Sequence, residues 1–102
     1  MDLVNEIRSC IDKEGKLTQL PSKRRKKLIA FCYIAVQIPE NICLTEREFN
    51  QLLCTLHTFG DPATLRRELF DHYLIDRDPD GSHYRAAIPR PSPEELIERY
   101  CK

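Results

Sequence analysis

The sequence lacks the features that most quickly assign a chain to a class of enzyme. It contains only three glycines, no phosphate-cradling glycine loop and no nucleophile elbow, and no motif ties His57, His72 or His83 to a nucleophile. We therefore expect no enzymatic activity. Its 16 basic and 16 acidic residues give a formal net charge of zero, which excludes a histone-like or wholly basic nucleic-acid binder.

Paired cysteines and long apolar runs are also absent. None of the five cysteines has C-x-x-C spacing, and several lie in apolar stretches, as expected in a reducing cytoplasm; they are Cys10, Cys32, Cys43, Cys54 and Cys101. The longest apolar stretch, Leu28 to Val36, is far shorter than the ~20 residues that cross a bilayer. Met1-Asp2 does not resemble the start of a signal peptide. These observations predict a soluble, cytoplasmic protein that does not associate with membranes.

A metal site has weak support in the sequence. Cys54 and His57 lie three residues apart on one predicted helix, and Cys32 or Cys43 could approach them in the fold. Zinc sites usually show two paired ligand clusters, and buried cysteines explain this pattern equally well. We expect no metal and no other cofactor.

Length and composition predict one compact domain with extensions at both ends. The chain has 102 residues, of which 41% are hydrophobic and 31% charged, an ordinary globular balance. We assign residues 1–15 to an amphipathic helical arm, residues 16–88 to the main domain, and residues 89–102 to a proline-rich connector and a terminal helix.

The stretch from Asp61 to Arg85 predicts a short helix followed by a β-hairpin. Asp61 is suited to cap the helix and Pro62 to its first position, and apolar residues follow at helical spacing at Leu65, Leu69 and Tyr73. The hairpin is indicated by Leu74-Ile75, by the turn residues Pro79-Asp80-Gly81, and by alternation at Tyr84, Ala86 and Ile88.

Further helices are predicted on both sides of this stretch. One amphipathic helix covers Asp2 to Ile11, and a buried one begins at Ser22 and ends before Pro39. A short strand at Ile42 to Leu44 precedes a helix with a capping box, Thr45 to Glu48, and a second box at Ser92 to Glu95 opens a terminal helix. The central order is helix, strand, helix, helix, strand, strand. It predicts a mostly helical α+β fold, a winged helix-turn-helix-like domain with a small antiparallel hairpin as the wing and short terminal helices.

Three segments together resemble a bacterial family known as domain of unknown function 2087. They are KLTQLPSKRRKKLIA, LTEREFNQLL and FGDPATLRRELFDHYLIDRDPDGSHYR, and the resemblance extends from about Lys16 to Arg85. It implies a winged-helix-like fold and a link to transcription, because members often lie C-terminal to helix-turn-helix regulators. No activity is established for the family, so it implies no catalytic residues. We expect this chain to depart from that fused form and to lack a separate N-terminal DNA-binding domain.

In a DNA-binding winged helix, the second helix of the helix-turn-helix enters the major groove and the wing lies near the backbone. The exposed residues of that helix are then Thr64, Arg66, Arg67 and Phe70 or Asp71. Arginine can read guanine with two hydrogen bonds. The alternative is an ordinary solvated face, on which Glu68 and Asp71 pair locally with Arg67 and His72.

Two further groups of cations are candidate phosphate contacts. One is the unbroken run Lys23, Arg24, Arg25, Lys26 and Lys27, whose position near a helix N-terminus opposes the helix dipole. The other lies on the predicted wing and comprises Arg77, His83 and Arg85. A solubilising face is the alternative for the run, and pairing with Asp76, Asp78 or Asp80 is the alternative for Arg77.

These patterns favour a non-enzymatic, DNA-binding transcriptional regulator of winged-helix type, with double-stranded DNA as its partner. The alternative is a protein-interaction or ligand-sensing module of a regulatory system that does not itself bind DNA. Apolar faces on the terminal helices are compatible with a homodimer or a regulatory protein partner. A continuous basic surface would favour DNA, and an exposed apolar groove would favour a protein partner.

Overall fold

Five α-helices and three short strands are formed by residues 1–101, the part of the chain that the computed structural model describes. In chain order the elements are α1 Leu3–Glu6, a 3₁₀ turn Arg8–Cys10, α2 Arg24–Ala35, β1 Leu44–Thr45, α3 Glu46–Cys54, α4 Pro62–Asp71, β2 Ile75–Arg77, β3 His83–Ala86 and α5 Pro93–Tyr100. The predicted mostly helical α+β class and the predicted central order, from α2 to β3, are confirmed. Lys102, the last residue of the predicted 89–102 segment, lies outside the described residues.

The strands form one antiparallel sheet in the order β1-β3-β2. Leu44 pairs with Tyr84, and Asp76 pairs with Arg85. The hairpin between β2 and β3 turns at Asp78 to Gly81, where the Gly81 N–H donates to the Asp78 carbonyl at 2.8 Å. Gly81 adopts a φ of 76°, a left-handed conformation that costs glycine little. The predicted hairpin is confirmed.

The helices pack on the inner face of this sheet around one core. The largest buried side chains include Phe31 and Ile34 of α2, Phe49 and Leu53 of α3, Leu65 and Leu69 of α4, and Leu96 of α5. The N-terminal segment contributes Ile7 to the same cluster. The helices and the sheet therefore bury their apolar surfaces against each other. This burial is the main source of stability for a chain of this size.

The predicted helix caps are mostly confirmed. Thr45 and Glu48 exchange both bonds of a capping box at the start of α3, as do Ser92 and Glu95 at α5, and Asp61 accepts from the Thr64 N–H at α4. The prediction for Ser22 is wrong. Helix α2 begins one residue later with Lys23 as its N-cap, and no side chain bonds the free N–H groups there, because lysine has no acceptor.

The predicted N-terminal helix is interrupted. Helix α1 ends at Glu6, Ile7 leaves the helical conformation with a φ of −124°, and the 3₁₀ turn follows. A short helix has little stability of its own, so burial of Ile7 and Cys10 in the core determines the path of the backbone.

Three residues near the strands lie in positions that the sequence did not predict, namely Ile42, Tyr73 and Ile88. β1 is Leu44–Thr45 and excludes Ile42, and β3 ends at Ala86, which leaves Ile88 69% exposed. Tyr73 was expected on the buried face of its helix, but α4 ends at Asp71. Tyr73 instead has a φ of 63° and is 58% exposed. Leu74 takes the buried position, and its N–H donates to the Leu69 carbonyl at 2.9 Å.

His57 holds the turn between α3 and α4. Its side chain is buried, Nδ1 lies 2.7 Å from the Leu53 carbonyl oxygen, and Nε2 lies 3.0 Å from the Asp61 backbone nitrogen. Because a carbonyl only accepts and an amide N–H only donates, the proton belongs on Nδ1 and Nε2 accepts. The two bonds join the end of α3 to the capping residue of α4.

Replacing His57 by alanine should lower the free energy of unfolding by about 1–3 kcal/mol, since the partly buried Asp61 N–H loses its acceptor. Urea unfolding at neutral pH measures the change. The neighbouring Thr58→Ala, at an exposed side chain, should change stability by less than about 0.5 kcal/mol. Equal effects of the two substitutions would contradict the role given to His57.

Candidate nucleic-acid interface

The exposed face of α4 is set by its buried one. Leu65 and Leu69 point into the core, so Arg67 lies near the centre of the solvent-facing side. At the start of the helix the Thr64 hydroxyl donates to Asp61 Oδ2 at 2.7 Å, and its N–H donates to Asp61 Oδ1 at 3.1 Å. These bonds hold the pKa of Asp61 below its usual value. The Thr64 hydroxyl proton is therefore used within the cap.

Arg66 is engaged inside the protein. Its guanidinium donates to the Asn50 side-chain oxygen, and Nη2 lies 3.4 Å from Glu46 Oε1. The guanidinium carbon lies 5.6 Å from the centre of the Tyr84 ring, and the side chain is only 19% exposed. Arg66 thus joins α4 to α3 and β3, a role that helical spacing did not reveal.

Arg77 of the hairpin lies beside α4. Its guanidinium carbon is 4.3 Å from the centre of the Phe70 ring, a cation–π contact. A cleft, called the arginine cleft here, brings these side chains together; it is lined by Glu46, Arg66, Arg67, Phe70, Asp71, Arg77 and Tyr84. Arg77 reaches the helix because it shares the inner face of the sheet with its partner in register, Tyr84.

His83 and Arg85 lie on the outer face of the hairpin and pair with one carboxylate. Arg85 Nη2 is 2.5 Å from Asp78 Oδ1, and His83 Nδ1 is 3.3 Å from Asp78 Oδ2. The hydrogen bond from Arg85 holds the pKa of Asp78 below its usual value. Asp78 is therefore the hairpin carboxylate that pairs with Arg85 and His83, and the guanidinium of Arg77 lies on Phe70 instead.

The side chains of the basic run point in three directions and do not form one continuous stripe. Arg25 forms an ion pair with Glu6, Nη1 to Oε2, at 2.8 Å. Lys23 and Lys26 line a cleft with residues of the N-terminal segment. Arg24 and Lys27 line another cleft, whose opposite wall is formed by Glu68 and His72 at the end of α4. The division follows helix geometry, since residues three apart share a face.

Cations therefore lie on both sides of α4. Arg24 and Lys27 lie along the side that carries Glu68, Arg67 lies at the centre, and Arg77 lies along the side that carries Phe70. Carboxylates interrupt this surface at Asp71 and at Glu68, whose Oε2 is 3.7 Å from His72 Nδ1. The local pairing of Glu68 with His72 is thus present, whereas within residues 1–101 Asp71 forms no ion pair with Arg67.

The cysteines and His57 do not converge. All five thiols are free, and burial raises the pKa of Cys32 to about 12. Both ring nitrogens of His57 bond to backbone atoms. Among residues 1–101 no group of three His, Cys, Asp or Glu side chains is placed to hold a metal ion. Nor does any helix in this range have the length and apolarity needed to cross a membrane.

The structure defines a small α+β protein with five helices and a three-stranded antiparallel sheet that includes a β-hairpin. Residues 16–86 match the model of a family described as an uncharacterized protein conserved in bacteria (DUF2087). The chain belongs to this family, and the resemblance seen in its sequence is confirmed. No curated protein and no solved structure matched the chain.

Arg66 and Arg67 should respond differently to truncation. Arg66→Ala should lower the free energy of unfolding by about 1–3 kcal/mol, because charged hydrogen bonds across α3 and α4 are lost. Arg67→Ala, at an exposed side chain, should change it by less than about 0.5 kcal/mol. Urea unfolding of both variants provides the comparison, and a larger loss for Arg67→Ala would refute the assignment.

Asp78 should make stability sensitive to acid. Its pKa is lowered in the folded chain, so its contribution is fully present above the unfolded value of about 3.9 and is lost as pH falls through the lower folded value. Asp78→Asn should therefore flatten the decline in unfolding free energy below about pH 4. Asp71→Asn is the control, since Asp71 forms no ion pair within residues 1–101. An unchanged decline in Asp78→Asn would be the contrary result.

Proposed function

We propose that this protein is a non-enzymatic, winged-helix DNA-binding protein that acts in transcriptional regulation in the cytoplasm. The order α2-β1-α3-α4-β2-β3 and the sheet order β1-β3-β2 support this assignment. In it, α3 and α4 are the helix-turn-helix, α4 is the recognition helix, and the β2–β3 hairpin is the wing. Five free thiols agree with a reducing compartment.

The observation that carries the proposal is the placement of cations on both sides of the exposed face of α4. A helix in the major groove lies between two phosphate backbones, so a recognition helix benefits from positive charge along both sides. Arg24 and Lys27 provide it on one side and Arg77 on the other. A protein that used only one edge of α4 would not require this arrangement.

Arg67 is the proposed base-reading residue. It is exposed at the centre of the helix face, and its guanidinium can donate two hydrogen bonds to O6 and N7 of guanine. Arg66 is excluded from this role because its guanidinium is already bonded to Asn50 and Glu46. His83 and Arg85 are given no primary role, since both side chains already pair with the Asp78 carboxylate.

The carboxylates of Glu46 and Asp71 at the arginine cleft favour the second candidate function. They would oppose phosphate and would attract a basic protein partner. This candidate is a regulatory protein-interaction module that does not bind DNA, and it predicts no affinity for duplex.

Fluorescence anisotropy of labelled mixed-sequence duplex, titrated with protein at several salt concentrations, tests the proposal. Affinity should fall steeply with salt, and each cation that loses a phosphate contact should reduce the log–log slope by about 0.9. Arg24→Ala/Lys27→Ala and Arg77→Ala should therefore bind more weakly with shallower slopes. Arg67→Ala should reduce discrimination between duplex sequences in a selection from random DNA.

Lys13→Ala is the matched control for charge. Lys13 is exposed beside a turn whose Gly15 carbonyl accepts from Tyr33 in the last part of α2, away from Arg24. The Lys13→Ala variant should bind duplex DNA as tightly as the unmodified protein does. If the unmodified protein does not bind duplex at low salt, or if Lys13→Ala weakens binding as much as Arg24→Ala/Lys27→Ala, the proposal is refuted.

A further inference from the structure

An apolar groove lies where the end of α4, strand β2 and the residues after β3 meet. Its apolar lining includes Phe70, Tyr73, Ile75 and Ile88. Tyr73 is 58% exposed and Ile88 is 69% exposed, although both are large apolar side chains. Exposed apolar residues grouped around a groove are typical of a binding surface, whereas scattered ones are not. This surface is called the Ile88 groove below.

The groove adjoins the outer edge of the sheet. Within residues 1–101 no strand pairs with β2 on the side away from β3. The Asp78 N–H donates to His83 and the Ala87 N–H donates to Leu74, so Asp76 faces β3 and the backbone groups of Ile75 and Arg77 point outward. The Asp76 carboxylate accepts from the Arg77 N–H at 2.8 Å and Ile75 is only 2% exposed, so this edge is closed to a further strand and a partner must use side chains.

The charge of the groove restricts what can occupy it. Asp71 and Asp76 line it, and no lysine or arginine does. In the part of the chain that the structure describes, neither carboxylate forms an ion pair. Arg77 and Arg99 lie against the rings of Phe70 and Tyr73 but do not line the groove. Two unpaired carboxylates disfavour nucleic acid and favour a cationic occupant.

A second copy of the chain fits poorly. A twofold contact brings the same patch of both copies together, which would place Asp71 and Asp76 of one copy near the same residues of the other. A segment of a partner protein fits both the apolar lining and the charge, because it can place an apolar side chain against Tyr73 and Ile88 and a cation near the carboxylates.

We propose that the Ile88 groove binds a segment of a partner protein, in which an apolar side chain lies next to lysine or arginine. The apolar side chain of the segment lies against Ile88 and Tyr73, and its cation lies at Asp71 and Asp76. This surface adjoins the proposed contact with DNA, which uses Arg67 and the cations beside α4, and it shares Phe70 and Asp71 with the arginine cleft.

Selection of short random peptides displayed on phage against the full chain tests this proposal. The selected sequences should combine apolar residues with lysine or arginine. Synthetic labelled versions should bind the protein in anisotropy titrations, and Ile88→Lys should weaken binding about tenfold or more, as expected for loss of one buried apolar contact. Selection against Asp71→Lys/Asp76→Lys should yield acidic peptides instead.

Val36→Lys is the matched control, because Val36 is 53% exposed at the end of α2 and lies outside the groove. The Val36→Lys variant should bind the selected peptides as tightly as the unmodified protein does. The Arg67→Ala variant should do the same, because this substitution is expected to weaken only the binding of DNA. Circular dichroism and urea unfolding check that each variant is folded. The proposal is overturned if no peptide is enriched, if the enriched peptides are acidic, or if they bind folded Ile88→Lys as tightly as the unmodified chain.

Discussion

The position of Tyr84 in the central strand is the constraint on which the rest of the structure depends. Its ring stacks on Phe49 of α3 with centres 5.4 Å apart and lies 5.6 Å from the guanidinium carbon of Arg66. Its backbone is in register with Leu44 on one side and Arg77 on the other. One residue therefore relates both outer strands to helices α3 and α4. The strand alternation around Tyr84 also places Arg77 on the helix side and His83 and Arg85 on the opposite side.

Which cations are available to a partner is decided by the acceptors around them. Arg25, Arg66 and Arg85 have carboxylate partners at Glu6, Glu46 and Asp78, whereas Arg67 projects from the centre of the exposed face of α4. Charged hydrogen bonds within the protein hold a guanidinium in place and reduce its attraction for phosphate. The surface proposed to contact DNA is consequently smaller than the set of basic residues near it. It is also better defined, because each cation in it is positioned by a helix or a strand.

The two proposed surfaces adjoin along α4. Phe70 and Asp71 line both the arginine cleft and the Ile88 groove, so one surface begins where the other ends. Their charges differ in sign, since the cleft carries three arginines against two carboxylates, whereas the charged residues that line the groove are two carboxylates. A protein of zero net charge can in this way present a cationic and an anionic surface on one helix. A partner in the groove would contact the same helix that the duplex contacts.

Local sequence signals determined the elements of this protein, because caps and turns depend on residues a few positions apart. The capping boxes at Thr45 and Ser92, the cap at Asp61 and the turn at Gly81 were all predictable. Local sequence signals did not predict the structure correctly where tertiary packing competed with a weak local preference for helix or strand. Ile7 left its helix for the core, and Tyr73 and Ile88 became exposed because α4 and β3 ended earlier than their apolar spacing suggested.

The sequence by itself also determined which residue types are available for binding, namely a basic run, arginines on one helix and an acidic hairpin. Only the tertiary structure decided how they are used. Arg66 meets Asn50 across the helix pair, Arg85 meets Asp78 across the hairpin, and Arg77 meets Phe70 between sheet and helix. Arg66 and Arg77 reach partners on other elements, and even within the hairpin the partner depends on which face of the sheet each side chain occupies. Ion pairs and cation–π contacts act over a few ångströms, so such pairings exist only once packing has fixed those positions.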